Sequence, residues 1–173
     1  GTSNKNTPTL TSSLGTGRTA IALSSGRFHT CAILDNGSVS CWGYGYDGQL
    51  GNGGTSNKNT PTLTSSLGTG RTAIAISSGL AHTCAILDNG AVSCWGLGSS
   101  GQLGNGATVG TTLTPTLTSS LGTNRTAVAI SSGHGTHACA ILDDGAVSCW
   151  GEGSNGQLGN GSTTTKITPT LTS

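Results

Sequence analysis

Short runs of alternating apolar and polar residues recur along this chain, and each has the length and pattern of a half-buried β-strand. In the middle of the chain these runs lie at residues 72–76, 82–87, 91–95 and 114–118. The tripeptide Asp88-Asn89-Gly90 separates the second run from the third and is a typical hairpin turn. Pro115 cannot donate a hydrogen bond to a neighbouring strand, so the fourth run is expected at a sheet edge. The pattern predicts four short antiparallel strands in succession.

The same runs return along the chain because it is built from an internal repeat. Residues 1–26 match residues 54–79 at every position except one, where Leu23 becomes Ile76. The third copy has two extra residues, both between strand-like runs, where loops are expected. We therefore treat residues 1–173 as one repeat region. It divides into units at 1–53, 54–106 and 107–161, followed by an overhang at 162–173 that repeats the start of a unit.

Four antiparallel strands in each of three units are typical of β-propeller blades. A β-solenoid usually has shorter repeats, and a sandwich needs no internal repeat, so both alternatives fit less well. The predicted fold class is all-β, with propeller-type blades that are four-stranded antiparallel sheets. Three such blades would form part of a larger propeller or an open, assembled repeat array.

Charge and hydrophobicity narrow the choice of partners. Only 8% of the residues are charged, and seven Lys and Arg spread along the chain leave a net charge of +1. Such a chain has no basic face for nucleic acid, so no nucleic-acid partner is expected. It contains no apolar run of about 18 residues, so no membrane insertion is expected either.

Each unit contains two cysteines on either side of the hairpin turn. In the first unit, a three-residue loop with Gly37 in the left-handed position would place Cys31 directly opposite Cys41, close enough for a disulfide. A two-residue turn would instead leave the pair diagonal. Free thiols in a cytosolic protein and a zinc site are the alternatives, although the spacing lacks the usual zinc knuckle. The repeat favours the local disulfides Cys31–Cys41, Cys84–Cys94 and Cys139–Cys149. Disulfides predict an oxidising compartment, outside the cell or at its surface.

One histidine and one tryptophan also recur in every unit. Convergence of the histidines on a metal or proton site is one hypothesis, and stacking of the tryptophans on sugars is another. Because every unit carries the same residue, a structural role between blades is the favoured interpretation for both types. The predicted structural core residues are Trp42, Trp95, Trp150, His29, His82 and His137.

The order of motifs in each unit is similar to that of a known family. A His-Thr or His-Ala pair precedes C-A-I-L-D-[ND]-G-x-V-S-C-W-G, and G-x-x-G-Q-L-G-N-G follows. This resembles the regulator of chromosome condensation repeats, in the cysteine-bearing form of bacterial secreted proteins, over essentially the whole chain. The resemblance implies a seven-bladed propeller of four-stranded blades, which three units cannot close. The eukaryotic founder of that family catalyses nucleotide exchange on a small GTPase and binds chromatin. Without a basic tail or a long insertion, guanine-nucleotide exchange is the least supported function here.

No set of residues in the sequence points to catalysis. The G-Q-L-G-N-G loops are rich in glycine, but no G-K-[ST] follows them and no helix begins there, so they are not phosphate sites. The sequence predicts a protein that is not an enzyme, with no cofactor and no metal.

Differences between the copies mark where a specific site could lie. The copies differ mainly in loops, where binding residues of scaffold proteins usually lie. Phe28, Tyr44 and Tyr46 are the predicted recognition residues, and neutral drift at exposed turns is the alternative. The glycosylation pattern Asn-x-Ser/Thr occurs at Asn36, Asn124 and Asn160.

Two functions therefore remain open. The first is a non-catalytic extracellular scaffold for a surface layer, stalk or fibre, whose partners are further repeats or other copies of the chain. In that arrangement, residues 1–13 would form a strand here and residues 161–173 would lend one to the next chain. The second is a recognition or adhesion propeller that binds a protein or a glycan through its loops.

Overall fold

The fold is taken from a computed structural model, which describes residues 4–108 and 110–173. Within these residues the chain forms twelve β-strands in three sheets of four. The first sheet contains β1 (Ala20–Ser25), β2 (His29–Leu34), β3 (Val39–Gly43) and β4 (Lys58–Leu63). The second contains β5 (Ala73–Ser78), β6 (His82–Leu87), β7 (Val92–Leu97) and β8 (Thr111–Leu117). The third contains β9 (Ala127–Ser131), β10 (His137–Leu142), β11 (Val147–Gly151) and β12 (Lys166–Leu171).

Each sheet is an antiparallel meander in which strands adjacent in sequence are adjacent in space. The prediction of four-stranded antiparallel blades is therefore confirmed. The strand predicted at 82–87 coincides with β6, whereas β5 begins one residue later than predicted and β8 begins three residues earlier. Pro115 lies in β8, which is an edge strand as its missing donor requires.

The hairpin turn sets the register that brings the cysteines together. The amide of Leu34 donates to the carbonyl of Ser38 over 2.8 Å, and Gly37 has a φ of 75°, so Asp35, Asn36 and Gly37 form a three-residue loop. This register places Cys31 opposite Cys41. The structure joins Cys31–Cys41, Cys84–Cys94 and Cys139–Cys149, with S–S distances of 2.14, 2.10 and 2.14 Å, and has no free cysteine.

The outermost strand of each sheet comes from the sequence unit that follows. Strand β4 belongs to the start of the second unit, and β12 is formed by the overhang. The segment 161–173 therefore completes the third sheet of its own chain, whereas we had expected it to supply a strand to the next chain. The described part of 1–13, from residue 4 onward, forms no strand, although residues 5–11 repeat the sequence of residues 58–64. Gly1–Ser3 lie outside the described residues.

Neighbouring sheets pack through two unlike faces. One face carries the disulfide with an isoleucine and a valine, and we call it the cystine face; in the first sheet it includes Cys31, Ile33 and Val39. The opposite face of the next sheet carries small residues and the tryptophan, and we call it the tryptophan face; in the second sheet it includes Ala85 and Trp95. The second and third sheets pack in the same way. The small residues beside the ring on the tryptophan face allow the two sheets to approach closely, and the core lies at these junctions.

The glycine-rich loop after the third strand of each sheet closes the junction. Its leucine is buried in every copy, at 1, 0 and 1% exposure for Leu50, Leu103 and Leu158. At Gly51 the backbone has a φ of 66°, and a Cβ atom there would lie 2.6 Å from Nε1 of Trp95. Glycine is needed at this position because both the backbone conformation and the contact with the ring exclude a side chain.

Candidate functional site

The loops that differ between copies meet along the strand ends of the first sheet, which we call its loop edge. Strand β2 begins where β3 ends, and the amide of Tyr44 donates to the carbonyl of Phe28 over 2.8 Å. This bond holds residues 27–28 beside residues 44–47. The amide of Arg27 also bonds the carbonyl of Gly79, so the same edge reaches the second sheet. The antiparallel pairing thus brings together loop residues that are far apart in sequence.

Three aromatic side chains form a continuous strip along this edge. The ring centroids of Phe28 and Tyr44 are 6.1 Å apart with planes at 57°, and those of Tyr44 and Tyr46 are 5.2 Å apart at 52°. The guanidinium carbon of Arg27 lies 4.7 Å from the centroid of Phe28, within cation–π range. Phe28 and Tyr46 are 60 and 62% exposed and Tyr44 is 37% exposed. The structure therefore brings together the three residues predicted for recognition.

A cleft of about 300 Å³ lies beside this strip, at the junction of the first two sheets. Its wall on the first sheet includes Arg27, Phe28, Tyr44 and Asp47, and its wall on the second sheet is apolar. The residues of the second wall are Leu80, Ala81 and Leu97. The aromatic residues of this cleft were predicted from the sequence, but its opposite wall was not. The sequence does not show that loops one unit apart face each other.

A buried polar network crosses the same junction beneath the loops. Nε2 of His29 lies 2.8 Å from the hydroxyl of Thr83, and that hydroxyl donates to the carbonyl of Gln49 over 3.0 Å. Nε1 of Trp95 donates to the same carbonyl over 2.9 Å. Because the single hydroxyl proton of Thr83 goes to Gln49, Nε2 of His29 is the donor of its bond. Burial lowers the pKa of His29 to about 4, so the imidazole is neutral near neutral pH.

At the second junction this network is incomplete. Nε1 of Trp150 donates to the carbonyl of Gln102 over 3.1 Å, but Ala138 replaces the threonine. His82 is fully buried, and within residues 4–108 and 110–173 neither of its ring nitrogens has a partner. Burial, with smaller contributions from His29 and His137, lowers the pKa of His82 to about 3. His29 thus bonds a side chain of the next sheet, whereas His82 has no hydrogen-bond partner among the described residues.

We expect the substitution Ala138→Thr to raise the free energy of unfolding by about 1 kcal/mol, because a buried unpaired donor would regain a partner. The new hydroxyl would accept from Nε2 of His82 and donate to the carbonyl of Gln102. Urea denaturation followed by circular dichroism measures the change. The converse variant Thr83→Ala should destabilise the chain, whereas Thr30→Ala, at the matching position on the open face, should have little effect. An unchanged or lowered midpoint for Ala138→Thr would contradict this explanation.

The tryptophans differ in their surroundings along the chain. Trp95 and Trp150 are fully buried against the preceding sheet. Trp42 is only partly buried, because within the described residues no sheet precedes the first one. His137 is likewise partly buried, since it lies on the cystine face of the third sheet. Trp95 and Trp150 therefore pack between sheets, as expected for a structural role. Trp42 and His137 occupy the same positions on open faces.

The predicted glycosylation residues lie in loops and turns. Asn36 and Asn124 are exposed, and Asn160 is partly buried. Asn124 has a φ of 56°, which asparagine tolerates better than most residues. Glycosylation stays a prediction at all three.

Over 4–108 and 110–173, no group of three or more His, Cys, Asp or Glu is arranged to hold a metal ion. Nor does that part of the chain form a helix that is long and apolar enough to cross a membrane.

Two profiles of the Regulator of chromosome condensation (RCC1) repeat match the sequence. The first covers residues 36–86, 89–141 and 144–173, and the second covers 20–49, 73–102 and 127–157. The ultraviolet-B receptor UVR8 of Arabidopsis thaliana is 35% identical over 154 residues, which are 88% of this chain and 34% of that protein. The E3 ubiquitin-protein ligase HERC2 of Homo sapiens is 35% identical over 141 residues, 82% of this chain and 3% of that protein. The chain thus spans about a third or less of these relatives.

Solved structures share the fold at lower identity. Prp20p of Saccharomyces cerevisiae, studied for its binding to Gsp1p and histones, aligns with a TM-score of 0.79 at 18% identity, over 89% of this chain and 38% of Prp20p. Human WBSCR16 aligns with a TM-score of 0.78 at 23% identity, over 88% of this chain and 37% of its own. The predicted β-propeller fold is confirmed by these likenesses and by the four-stranded sheets. The matches to all three repeats establish that the chain belongs to the regulator of chromosome condensation repeat family.

Proposed function

We propose that this chain is a non-catalytic scaffold of propeller blades, and that its two end sheets stack on further repeats of the same kind. Those repeats belong either to the same protein or to another copy of it. The scaffold works in an oxidising compartment, outside the cell or at its surface, and builds a surface layer, stalk or fibre. The sequence units at 1–53, 54–106 and 107–161 are its building blocks.

One observation carries this proposal: the two open end faces are the two halves of an internal junction. Ile33 and Ile86 lie on cystine faces that are covered by the next sheet, and both are fully buried. Ile141 occupies the same position on the open cystine face of the third sheet and is 43% exposed. At the other end, Leu23 is 70% exposed on the tryptophan face, where its counterpart Ile76 packs against the core. The open cystine face of the third sheet thus lacks a tryptophan face to cover it, and the open tryptophan face of the first sheet lacks a cystine face.

The polar groups of the end faces are matched as well. If the third sheet met the first sheet of another copy, His137 would face Thr30 as His29 faces Thr83. Nε1 of Trp42 would reach the carbonyl of Gln157 as that of Trp95 reaches Gln49. Such a junction would contain the threonine that the second junction lacks. Contacts of this head-to-tail kind give open filaments, or rings when the rotation closes.

The disulfides support the proposed compartment. Such bonds persist in oxidising surroundings and are rare in the cytosol. All six cysteines are paired within hairpins, and only 8% of the residues are charged. These features favour a secreted or surface protein.

Association through the end faces is expected to be concentration-dependent and to depend on Ile141. Analytical ultracentrifugation should detect oligomers of the 173-residue chain, and electron microscopy should show filaments or rings. Ile141→Asp would force a charge into the junction, so it should weaken association at least about tenfold. Leu117→Asp is the control, because Leu117 is 56% exposed on the outer strand β8 of the middle sheet, which forms neither end face. A wild-type chain that stays monomeric at the highest soluble concentration would overturn the proposal.

A further inference from the structure

The cleft at the first junction is built from residues that vary within an otherwise constant frame. Arg27, Phe28, Tyr44 and Asp47 all differ from the residues at the same positions of the second unit. Around them the two central strands, the Asp-Asn-Gly turn and the Gly-Gln-Leu-Gly-Asn-Gly loop are the same in both units. The backbone needs none of these four side chains, because the second unit folds with leucine, alanine, leucine and serine in their places.

The aromatic strip gives the cleft an unusual surface for this chain. The whole sequence contains two tyrosines and one phenylalanine, and all three lie side by side here. They are the chain's most exposed aromatic residues, since Trp42 is partly buried and Trp95 and Trp150 are fully buried. Adjacent exposed rings offer flat apolar surface with hydroxyl groups at the rim, so they suit a ligand that has apolar faces and polar edges.

The charges of the cleft argue for a neutral ligand. In the described residues, no hydrogen bond or ion pair engages the guanidinium of Arg27 or the carboxylate of Asp47. An anion would be attracted by the guanidinium of Arg27 and repelled by the carboxylate of Asp47. A cation would be repelled by Arg27 and attracted by Asp47. A ligand with adjacent hydroxyl groups satisfies both, because a hydroxyl can accept from Arg27 and donate to Asp47.

The size of the cleft fits a small ligand. A volume of about 300 Å³ is at the lower end of the range of small-molecule sites. Its far wall, formed by Leu80, Ala81 and Leu97, is apolar and would contact the C–H groups of a sugar ring. We propose that this cleft binds a neutral carbohydrate, with sugar rings against the aromatic strip and hydroxyl groups on Arg27 and Asp47. This site is independent of the scaffold role, since it lies on the loop edge and not on the end faces.

The test uses the 173-residue chain and neutral oligosaccharides of glucose, galactose, mannose and N-acetylglucosamine, up to about four units long. The strongest binder on an array of these is then titrated by isothermal calorimetry. In the main variant, Phe28→Ala, Tyr44→Leu and Tyr46→Ser replace the strip by the residues of the second unit. Because that unit folds with these residues, the variant should keep its stability and lose affinity by at least about tenfold. Glu152→Ser is the control, since Glu152 occupies the position of Tyr44 in the third unit, outside the cleft.

Three results would overturn the proposal. The first is that no neutral oligosaccharide binds at a ligand concentration of about ten millimolar, which is high enough to detect a millimolar dissociation constant. The second is that binding is unchanged in the strip variant. The third is that the strip instead captures peptides from a display library, with binding lost in the variant, which would make the cleft a protein-recognition site. None of these results alters the association assay, so the two proposals fail separately.

Discussion

Replacing all six cysteines by alanine is expected to lower the free energy of unfolding by roughly 6–9 kcal/mol, because each short-loop disulfide contributes roughly 2–3 kcal/mol. That loss is comparable to the whole stability of a typical domain, so the variant should be largely unfolded at 25 °C. Each disulfide closes a hairpin with a sequence separation of 10, and the first two lie at packed junctions between sheets. Circular dichroism in increasing urea would measure the change.

Reduction of the wild-type chain distinguishes the stabilisation due to the disulfide bonds from that due to the packing of the cysteine side chains. A reductant removes the covalent link and leaves the sulfur atoms, so most of the loss should appear in the reduced protein as well. Replacing one pair, Cys84 and Cys94, should have a larger effect than replacing Cys139 and Cys149. The first pair is covered by the next sheet, whereas Cys139 is partly exposed on the open cystine face. An unchanged urea midpoint, with thiol titration showing complete reduction, would contradict the assigned role.

The substitution Trp95→Ala is expected to cost about 3–5 kcal/mol. The ring is completely buried between the first two sheets, and its Nε1 donates to the carbonyl of Gln49. Alanine would leave a cavity at the junction and remove one of the two donors to that carbonyl. Chemical denaturation of the purified variant would measure the loss.

Trp42→Ala is the matched control for that experiment. The same side chain at the same position of the first sheet lies on an open face and is partly exposed. Its loss should cost about 1 kcal/mol or less in the monomer, and should weaken association through the tryptophan face. If the two variants lost equal stability, burial between sheets could not be the main source of the effect at Trp95.

The hairpins could be predicted from sequence because their signals are local. Asp35-Asn36-Gly37 defines a loop length, the loop length sets the register, and the register places Cys31 opposite Cys41. Pro115 marked an edge strand by the same kind of reasoning. These features depend on residues that are close together in sequence, and period-two patterning carries that information.

Contacts between units were harder to predict. The strand formed by residues 166–171 was expected to serve another chain, but it pairs with its own third sheet, and no local pattern distinguishes the two outcomes. The partner of His29 is Thr83, one unit away, and the sequence shows only that this residue becomes Ala138 in the third copy. The change from Thr83 to Ala138 was the one sign in the sequence that His82 lacks the partner that His29 has. The cleft was found in part, since its aromatic residues vary between copies and its apolar wall belongs to the next unit.

The origin of the outermost strands has a consequence for how such a chain can change in length. The second and third units each supply three strands to their own sheet and one to the sheet before it, as β4 does for the first sheet. A gene that gains or loses one whole unit by recombination between near-identical repeats therefore leaves no sheet short of a strand. A break inside a unit would instead separate a sheet from its edge. Whole-unit expansion and contraction is thus the mutation that this architecture tolerates best, and proteins of different length within one population are the expected genetic trace.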